Sequence, residues 1–352
     1  MRLCILLNLY NEVVMVSGVG SSSVISYATQ ELESVQGESW KLQEKVNVTI
    51  LTYDDLQQGS LRTQLLLIQA LKEEGIVGIR GIPKFKESVQ KFIEAARAFS
   101  ALTDEEKAQY APNRDKGEFL GYELGAEVFT RPDGSKVADD SKASYYAFVP
   151  DHDMNIWPKF GDLKDQFQSI GGLMMDVGKM VMASVGLNQA VVLADNHVGR
   201  LLHYRKGCPA DKWCGAHFDH GVFTALLPAV YFNDQGKQIP EPDEAGLFVR
   251  ASGDTAFRKV TSDDPDVMLF QAAEFGQLAT NDKIEATEHE VRKPLDPTIE
   301  RYTKALFFTA PMGYRMSSRS KLVIDTRWGE KEECSYGDWH TRSLDRYRNK
   351  TK

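Results

Sequence analysis

The sequence is organised around one short stretch, Ala216-His217-Phe218-Asp219-His220-Gly221. In an extended strand alternate side chains leave on the same face, so His217 and Asp219 would point together into one cavity. An imidazole and a carboxylate form two thirds of the 2-His-1-carboxylate set that binds ferrous iron. The pair alone is weak evidence, because with 7 His and 50 acidic residues in 352 roughly one such pair is expected by chance.

The chain around this stretch changes character at Gly186. Before it, apolar residues at helical spacing predict helices over 60–75, 86–102 and 161–185, and Thr103 to Glu106 opens a further short helix as a capping box. Beyond it, short apolar runs alternate with turns, which is typical of an all-β sandwich or barrel. This order predicts a β-rich α+β fold, in which helices wrap a β core. The predicted strands cover 199–204, 214–218, 222–231, 246–250, 267–272, 284–291 and 302–309.

The composition is that of a soluble globular protein. A net charge of -8 and a pI of about 5.5 argue against nucleic acid or an anionic membrane surface as a partner. The four cysteines form no CxxC pair, and we interpret them as reduced thiols in a cytoplasmic protein. Residues 1–16 are apolar but too interrupted for a bilayer span or a signal peptide, so residues 1–45 are expected to be a poorly ordered extension.

Three later features join the His217/Asp219 pair. His289 lies 72 residues downstream in a run with strand-like alternation, so it would come from a different strand. Arg301 and Thr303 share one strand face, where a guanidinium fork beside a hydroxyl suits a carboxylate. Tyr204 could donate a hydrogen bond to a second carboxylate. Each feature alone also fits an ordinary surface or core residue, and Tyr204 in particular could be a core tyrosine.

The other histidines and the nearby cysteines do not fit the same ligand set. In a strand, His220 is out of phase with His217 and would face the opposite way. No ligand role is predicted for His152, His197, His203, His340, Cys208 or Cys214.

In the order of these segments the sequence resembles the iron- and 2-oxoglutarate-dependent dioxygenases of the isopenicillin N synthase type. The resemblance covers roughly residues 46 to 350, and the ordered set of motifs carries it rather than any single one. The matching motifs are residues 70–77, 103–107, 121–122 with 125–127, 156–158, 204–209, 216–221, 246–250, 280–281, 289–291 and 301–303.

The resemblance implies a double-stranded β-helix (jelly roll) core, in which His217, Asp219 and His289 hold Fe(II). Arg301 with Thr303 would bind the distal carboxylate of the co-substrate 2-oxoglutarate. Tyr204 would meet the carboxylate nearer the metal. The partners would be dioxygen and a small organic substrate, with ascorbate as a candidate reductant. The implied organisation is one catalytic domain over 46–352, made of a mainly helical part (46–195), the jelly-roll core (196–312) and a C-terminal cover (313–352).

The sequence departs from the family pattern at several positions and leaves two other functions open. Thr303 stands where the family usually has serine, Leu202 where it commonly has asparagine, and Arg205 where it has proline. Ala273-Glu274 and Asn281-Asp282 replace glycine-containing pairs, and residues 233–245 resemble an inserted hairpin. One alternative is an oxidase of the same fold that takes its electrons from the substrate. The other is a binding module without catalytic activity.

Overall fold

The structure, a computed structural model, describes residues 45–125, 128–130, 136–138, 141–208, 212–261 and 264–349. The predicted N-terminal extension therefore lies outside the described residues, except for Lys45. The same holds for Ala126, Glu127 and Pro209 of the matching motifs. The domain boundaries derived from the sequence stay a prediction.

Two β-sheets form the centre of the described chain, and their strands are numbered here in chain order. Two small hairpins stand apart from them, β5 (Val128–Thr130) with β6 (Lys136–Ala138) and β18 (Arg315–Ser317) with β19 (Glu333–Ser335). The minor sheet has the order β1 (Lys45–Val46), β14 (Arg258–Val260), β13 (Gly246–Arg250), β16 (Glu288–Arg292) and β9 (Lys212–His217). The major sheet has the order β2 (Thr49–Thr52), β3 (Ile76–Arg80), β15 (Val267–Ala272), β10 (Phe223–Leu226), β17 (Glu300–Phe307), β8 (His197–Tyr204), β7 (Lys142–Val149) and β4 (Gly121–Leu124), with β11 (Val230–Phe232) paired to β17 and to β12 (Gln238–Ile239).

Local capping signals define where several helices begin. The Ser60 hydroxyl accepts the Thr63 N–H at the start of the second helix, and Thr103 and Glu106 form the predicted capping box. Short 3-10 turns cover Arg114–Lys116 and Lys321–Ile324. The helices are α1 (Tyr53–Gln58), α2 (Leu61–Glu73), α3 (Phe85–Ser100), α4 (Asp104–Ala108), α5 (Leu163–Ser184), α6 (Gln189–Val192), α7 (Glu274–Thr280) and α8 (Tyr336–Asn349).

The long helices cover the major sheet. Helix α5 packs against β7, β10 and β17, and α3 lies beside α5. Phe92 of α3 and Phe167 of α5 are fully buried and meet edge to face with ring centroids 6.1 Å apart. Burial of each such ring contributes about 1.5–3 kcal/mol to folding. The apolar faces that predicted these helices are therefore the faces that hold them on the sheet.

A second core fills the space between the two sheets. The major sheet contributes Leu202 and Leu269 to it, and the minor sheet contributes Trp213, Val249 and Val291. Two facing sheets with helices on the outer face of one of them form the jelly-roll architecture that the resemblance implied. The predicted fold class, β-rich α+β with N-terminal helices around a jelly roll, is confirmed.

Several predicted element bounds were wrong. The predicted strand 222–231 is two strands, because Pro228 between β10 and β11 has no N–H to donate to a ladder. The predicted strand 284–291 pairs only from Glu288 onward. Helix α7 was missed, because most of its residues are buried and it shows no amphipathic pattern. Within the described ranges, no helix is long and apolar enough to cross a membrane.

Candidate metal centre

Three side chains converge where the minor sheet opens toward the major one. His217 ends β9 and His289 lies in β16, and the two are direct cross-strand partners in the antiparallel pairing. Asp219 follows two residues after His217. One donor atom from each of the three lies within 4.8 Å of the other two. The structure thus brings together the three residues that the sequence singled out as metal ligands.

The histidine tautomers direct the same ring nitrogen toward this centre. His217 Nδ1 lies 2.8 Å from the Gly215 carbonyl oxygen, and His289 Nδ1 lies 3.2 Å from the Thr287 carbonyl oxygen. A carbonyl can only accept, so each Nδ1 carries the proton and donates it. Both Nε2 atoms lie near the Asp219 carboxylate, at 3.8 Å (His217) and 3.9 Å (His289), and in the neutral imidazole each Nε2 carries the lone pair that a metal would take.

Asp219 is held in place by two neutral donors. The Thr224 hydroxyl donates to Oδ2 at 2.6 Å, and the Gln271 amide donates to the same oxygen at 3.2 Å. Burial raises the pKa of Asp219, but His289, His217 and these hydrogen bonds outweigh it and keep the pKa below its ordinary value. Asp219 is therefore a carboxylate whose Oδ2 is already occupied and whose Oδ1 is available.

The two imidazoles differ in their affinity for a proton. Burial lowers the pKa of His289 to about 4, and the neighbouring His217 acts in the same direction. Burial also disfavours charge on His217, but Cys214, Asp219 and the Gly215 carbonyl outweigh it and raise that pKa to about 9. Since a ligand imidazole must be neutral, a cation that binds here releases the His217 proton.

This donor set fits a divalent transition metal. Two imidazole nitrogens and one carboxylate oxygen on one side are the ligands of the facial triad, which leaves positions open for other molecules. Donors that sit about 2.0–2.2 Å from one ion at facial or tetrahedral angles are roughly 2.8–3.6 Å apart. The distances of 3.8 and 3.9 Å, in a set whose donors lie within 4.8 Å of one another, would therefore shorten when an ion binds. Among the described residues, no fourth His, Cys, Asp or Glu joins the cluster.

Arg301 lies on the same cavity as the metal centre. Its Nε donates to the Tyr231 hydroxyl at 3.1 Å, and the guanidinium carbon lies 5.1 Å from the Tyr204 ring centroid. Burial disfavours its charge, but Tyr231, Tyr204 and Glu241 outweigh this and keep the pKa of Arg301 above its ordinary value. Its Nη1 is buried and has no hydrogen-bond partner among the described residues. A bound carboxylate would satisfy that nitrogen, so an anionic ligand fits here.

Thr303 and Tyr204 also line this cavity, next to Arg301. Tyr204 is the cross-strand partner of Arg301, and it stacks on Trp213 with ring centroids 5.2 Å apart. The Thr303 hydroxyl donates to the Leu227 carbonyl at 2.8 Å, so it would have to rotate to donate to a ligand. The three residues predicted to bind 2-oxoglutarate therefore lie together, with Thr303 engaged by the backbone.

The remaining histidines lie away from the centre in the described structure. His220 Nε2 is 3.1 Å from His340 Nδ1. That pair joins α8 to the turn after β9 and could not be read from sequence spacing. His203 Nε2 lies within hydrogen-bond distance of Glu300 Oε2, at 2.9 Å, and the His203 ring stacks on the ring of Tyr302. Thr224 and Gln271 were not predicted from the sequence, although a glutamine inside the apolar run of β15 was a visible signal.

Comparison with known proteins adds evidence on the fold. Neither a protein-family model nor a curated protein sequence matches this chain. A full-length protein from Neurospora crassa, solved in complex with alpha-KG (2-oxoglutarate), superposes with a TM-score of 0.66 at 18% identity over 85% of this chain and 95% of that one. A 2OG-Fe(II) oxygenase family protein from Caulobacter crescentus superposes with a TM-score of 0.66 at 20% identity, over 86% of this chain and 99% of that one. The rice dioxygenase for auxin oxidation superposes with a TM-score of 0.59 at 17% identity, over 85% of this chain and 95% of that one. This chain therefore has the fold of the 2OG-Fe(II) oxygenases, as the motifs in its sequence predicted.

Proposed function

We propose that this protein is an Fe(II)- and 2-oxoglutarate-dependent oxygenase that oxidises an unactivated C–H bond of a small organic substrate, by hydroxylation, desaturation or ring closure. One observation carries the proposal: His217, Asp219 and His289 converge on the cavity into which Arg301 brings a buried nitrogen without a partner among the described residues. Iron with 2-oxoglutarate supplies, when bound, an oxidant made from dioxygen, while 2-oxoglutarate loses carbon dioxide and becomes succinate.

The residues of the chain bind and orient the reactants. The triad would hold the metal on one side only, which leaves the cavity side to co-substrate and dioxygen. Arg301 would take the distal carboxylate of 2-oxoglutarate, with Thr303 beside it and Tyr204 nearer the metal. Apolar side chains exclude water from the reacting atoms. They include Leu202, Leu226, Leu247, Leu269, Val291 and Phe307.

The structures with the same fold support a small-molecule reaction. The Neurospora crassa protein is also solved with alpha-KG and thymine, and JOX2 is solved with 2OG, Fe and JA. We expect this chain to use dioxygen and a small organic molecule as partners and ascorbate as an auxiliary reductant. The cysteines of the described residues, Cys208, Cys214 and Cys334, form no disulfide, and we expect a cytoplasmic location.

Anaerobic titration with Fe(II) and 2-oxoglutarate tests the metal site. We expect the weak visible charge-transfer band of the ternary complex in the wild type and its loss in His217→Ala. The matched control is His152→Ala, since His152 is exposed and accepts a local hydrogen bond from the Met154 N–H. A His217→Ala variant with the metal content of the wild type would refute the proposal.

Arg301→Gln separates this function from the two alternatives. Loss of a buried charge that pairs with a carboxylate costs about 2–5 kcal/mol, so we expect about 30-fold or more weaker 2-oxoglutarate binding. Succinate formation and substrate oxidation should fall together, while Arg315→Gln on the surface changes neither. Product that forms at the wild-type rate without 2-oxoglutarate would favour the oxidase. A wild type that consumes no dioxygen with any substrate of a broad panel would favour the binding module.

A further inference from the structure

Gln271 is a fully buried polar residue beside the candidate metal ligands. It lies in β15, a strand whose six side chains are all buried and otherwise apolar. Its amide nitrogen lies 3.2 Å from Asp219 Oδ2 and 3.2 and 3.3 Å from the two ring nitrogens of His289. Gln271 thus contacts two of the three residues that would hold the metal, although it is not itself a ligand.

The orientation of the Gln271 amide follows from the charge of Asp219. A carboxylate accepts hydrogen bonds and donates none, so the NH₂ group must face Oδ2 and the carbonyl must face away. In that orientation Gln271 Oε1 is buried and has no hydrogen-bond partner within the described part of the chain. An unpaired buried acceptor destabilises the fold, and an apolar side chain of the same shape would avoid the cost. The contact with Asp219 is the interaction that a glutamine makes here and an apolar residue could not.

Thr224 completes this arrangement from the next strand. Thr224 in β10 and Gln271 in β15 are direct cross-strand partners, and both donate to the same oxygen of Asp219. Two donors on Oδ2 fix the rotation of the carboxylate and leave Oδ1 toward His217, while Oδ2 itself lies 3.9 Å from His289 Nε2. Oδ1 is the oxygen 3.8 Å from His217 Nε2.

We propose that Gln271, together with Thr224, is a positioning residue that orients Asp219 for a divalent cation. This inference rests on the metal site of the proposed function and assigns to Gln271 an effect on metal affinity. Outer residues that orient ligands in metal proteins typically change metal affinity by about 10–100-fold when they are replaced.

The test compares metal affinity with the stability of the metal-free protein. Gln271→Met keeps the length of the side chain and removes both polar atoms. We expect Mn(II), measured by electron paramagnetic resonance, to bind about 10–100-fold more weakly to this variant. The unfolding midpoint of the metal-free variant should stay near that of the wild type, because removal of the unpaired Oε1 offsets loss of the hydrogen bond to Asp219. A purely structural role would lower the midpoint and leave the affinity unchanged.

Gln277→Met provides the matched control. Gln277 is also buried, but both ends of its amide are satisfied: Nε2 donates to Asp282 at 2.8 Å and Oε1 accepts the Ala286 N–H at 2.9 Å. We expect this variant to unfold at lower temperature and to bind Mn(II) as the wild type does. Thr224→Val, which removes the other donor, should weaken Mn(II) binding in the same way as Gln271→Met.

The outcomes separate this inference from the proposed function. If the wild type binds Mn(II) and Gln271→Met binds it equally well, the positioning role is overturned and the metal site stands. If the wild type binds no Mn(II), the positioning role of Gln271 and the proposed metal site are overturned together.

Discussion

Two buried basic residues of strand β17 show how position along a strand decides chemistry. Arg301 and Lys304 are three positions apart, so their side chains leave opposite faces of the strand. Arg301 faces the cavity between the sheets, whereas Lys304 faces helix α5, where its Nζ donates to the Phe167 carbonyl at 2.5 Å. Burial lowers the pKa of Lys304 well below its ordinary value. Arg301 therefore keeps its charge beside the cavity, whereas burial disfavours the charged form of Lys304.

We predict that Lys304→Met raises the free energy of unfolding at neutral pH, by on the order of 1 kcal/mol. The unfolded chain keeps the lysine proton up to a pKa near 10.4, whereas the folded chain loses it at lower pH. The stability of the wild type therefore rises with pH between those two values, and the advantage of the variant shrinks over that window. Urea denaturation of both proteins at pH 7, 9 and 10 measures the difference in their free energies of unfolding. A constant difference across that range would contradict the prediction.

At the scale of the element, helix α5 contains glycines with opposite roles. Gly178 faces the sheet, and a Cβ there would lie 2.0 Å from the Phe308 ring. Gly172 lies on the same helix, and a Cβ there would meet no described atom within 4 Å. One glycine permits a close helix–sheet contact, and the other only adds flexibility to the unfolded chain.

We predict that Gly178→Ala lowers the free energy of unfolding by about 1–3 kcal/mol, because the ring and the helix must move apart. Gly172→Ala should raise it by about 0.5–1 kcal/mol, since alanine has the higher helix propensity. Chemical denaturation of the two variants beside the wild type tests both the predicted decrease and the predicted increase in the free energy of unfolding. Equal effects of the two substitutions would show that helix propensity, and not packing on Phe308, governs this helix.

At the scale of the whole molecule, the metal centre is assembled from distant parts of the chain. The Asp219 carbonyl accepts the Glu274 N–H of α7 at 2.8 Å, and Glu274 is paired with the buried Arg327. Trp339 of α8 donates to the His220 carbonyl at 2.9 Å. The C-terminal segment thus braces the turn that carries Asp219, and the ligand geometry exists only in the folded chain.

We therefore predict that metal stabilises the fold as a whole. A cation that binds only the folded state, at 100 times its dissociation constant, adds about 2.7 kcal/mol to the free energy of unfolding. For a chain of 352 residues the unfolding midpoint should rise by about 4 °C, because the entropy of unfolding grows with chain length. Differential scanning calorimetry with Mn(II) measures the rise, and His217→Ala should not show it. An equal rise in both proteins would mean that Mn(II) binds elsewhere.

The sequence determined most of the long helices and core strands, since their signals are local. Ser60 and Thr103 mark helix starts by hydrogen bonds within one turn. Strand alternation predicted that His217 and Asp219 share a side, and the two converge even though the strand ends at His217. The order of motifs further predicted the jelly roll and the residues that converge on one cavity. Their roles as ligands of iron and 2-oxoglutarate stay predictions until metal and co-substrate binding are measured.

Only the tertiary structure decided which long-range partners meet. The contact of Gln271 with Asp219, the pairing of His220 with His340 and the burial of Lys304 join segments that are far apart in the chain. No periodicity encodes such contacts, because they depend on strand order and on which sheet face each residue occupies. The burial of α7 hid its helical pattern for the same reason. Local hydrogen bonding and hydrophobic patterning specify elements, whereas the environment that tunes a charge or orients a carboxylate exists only after the elements have packed.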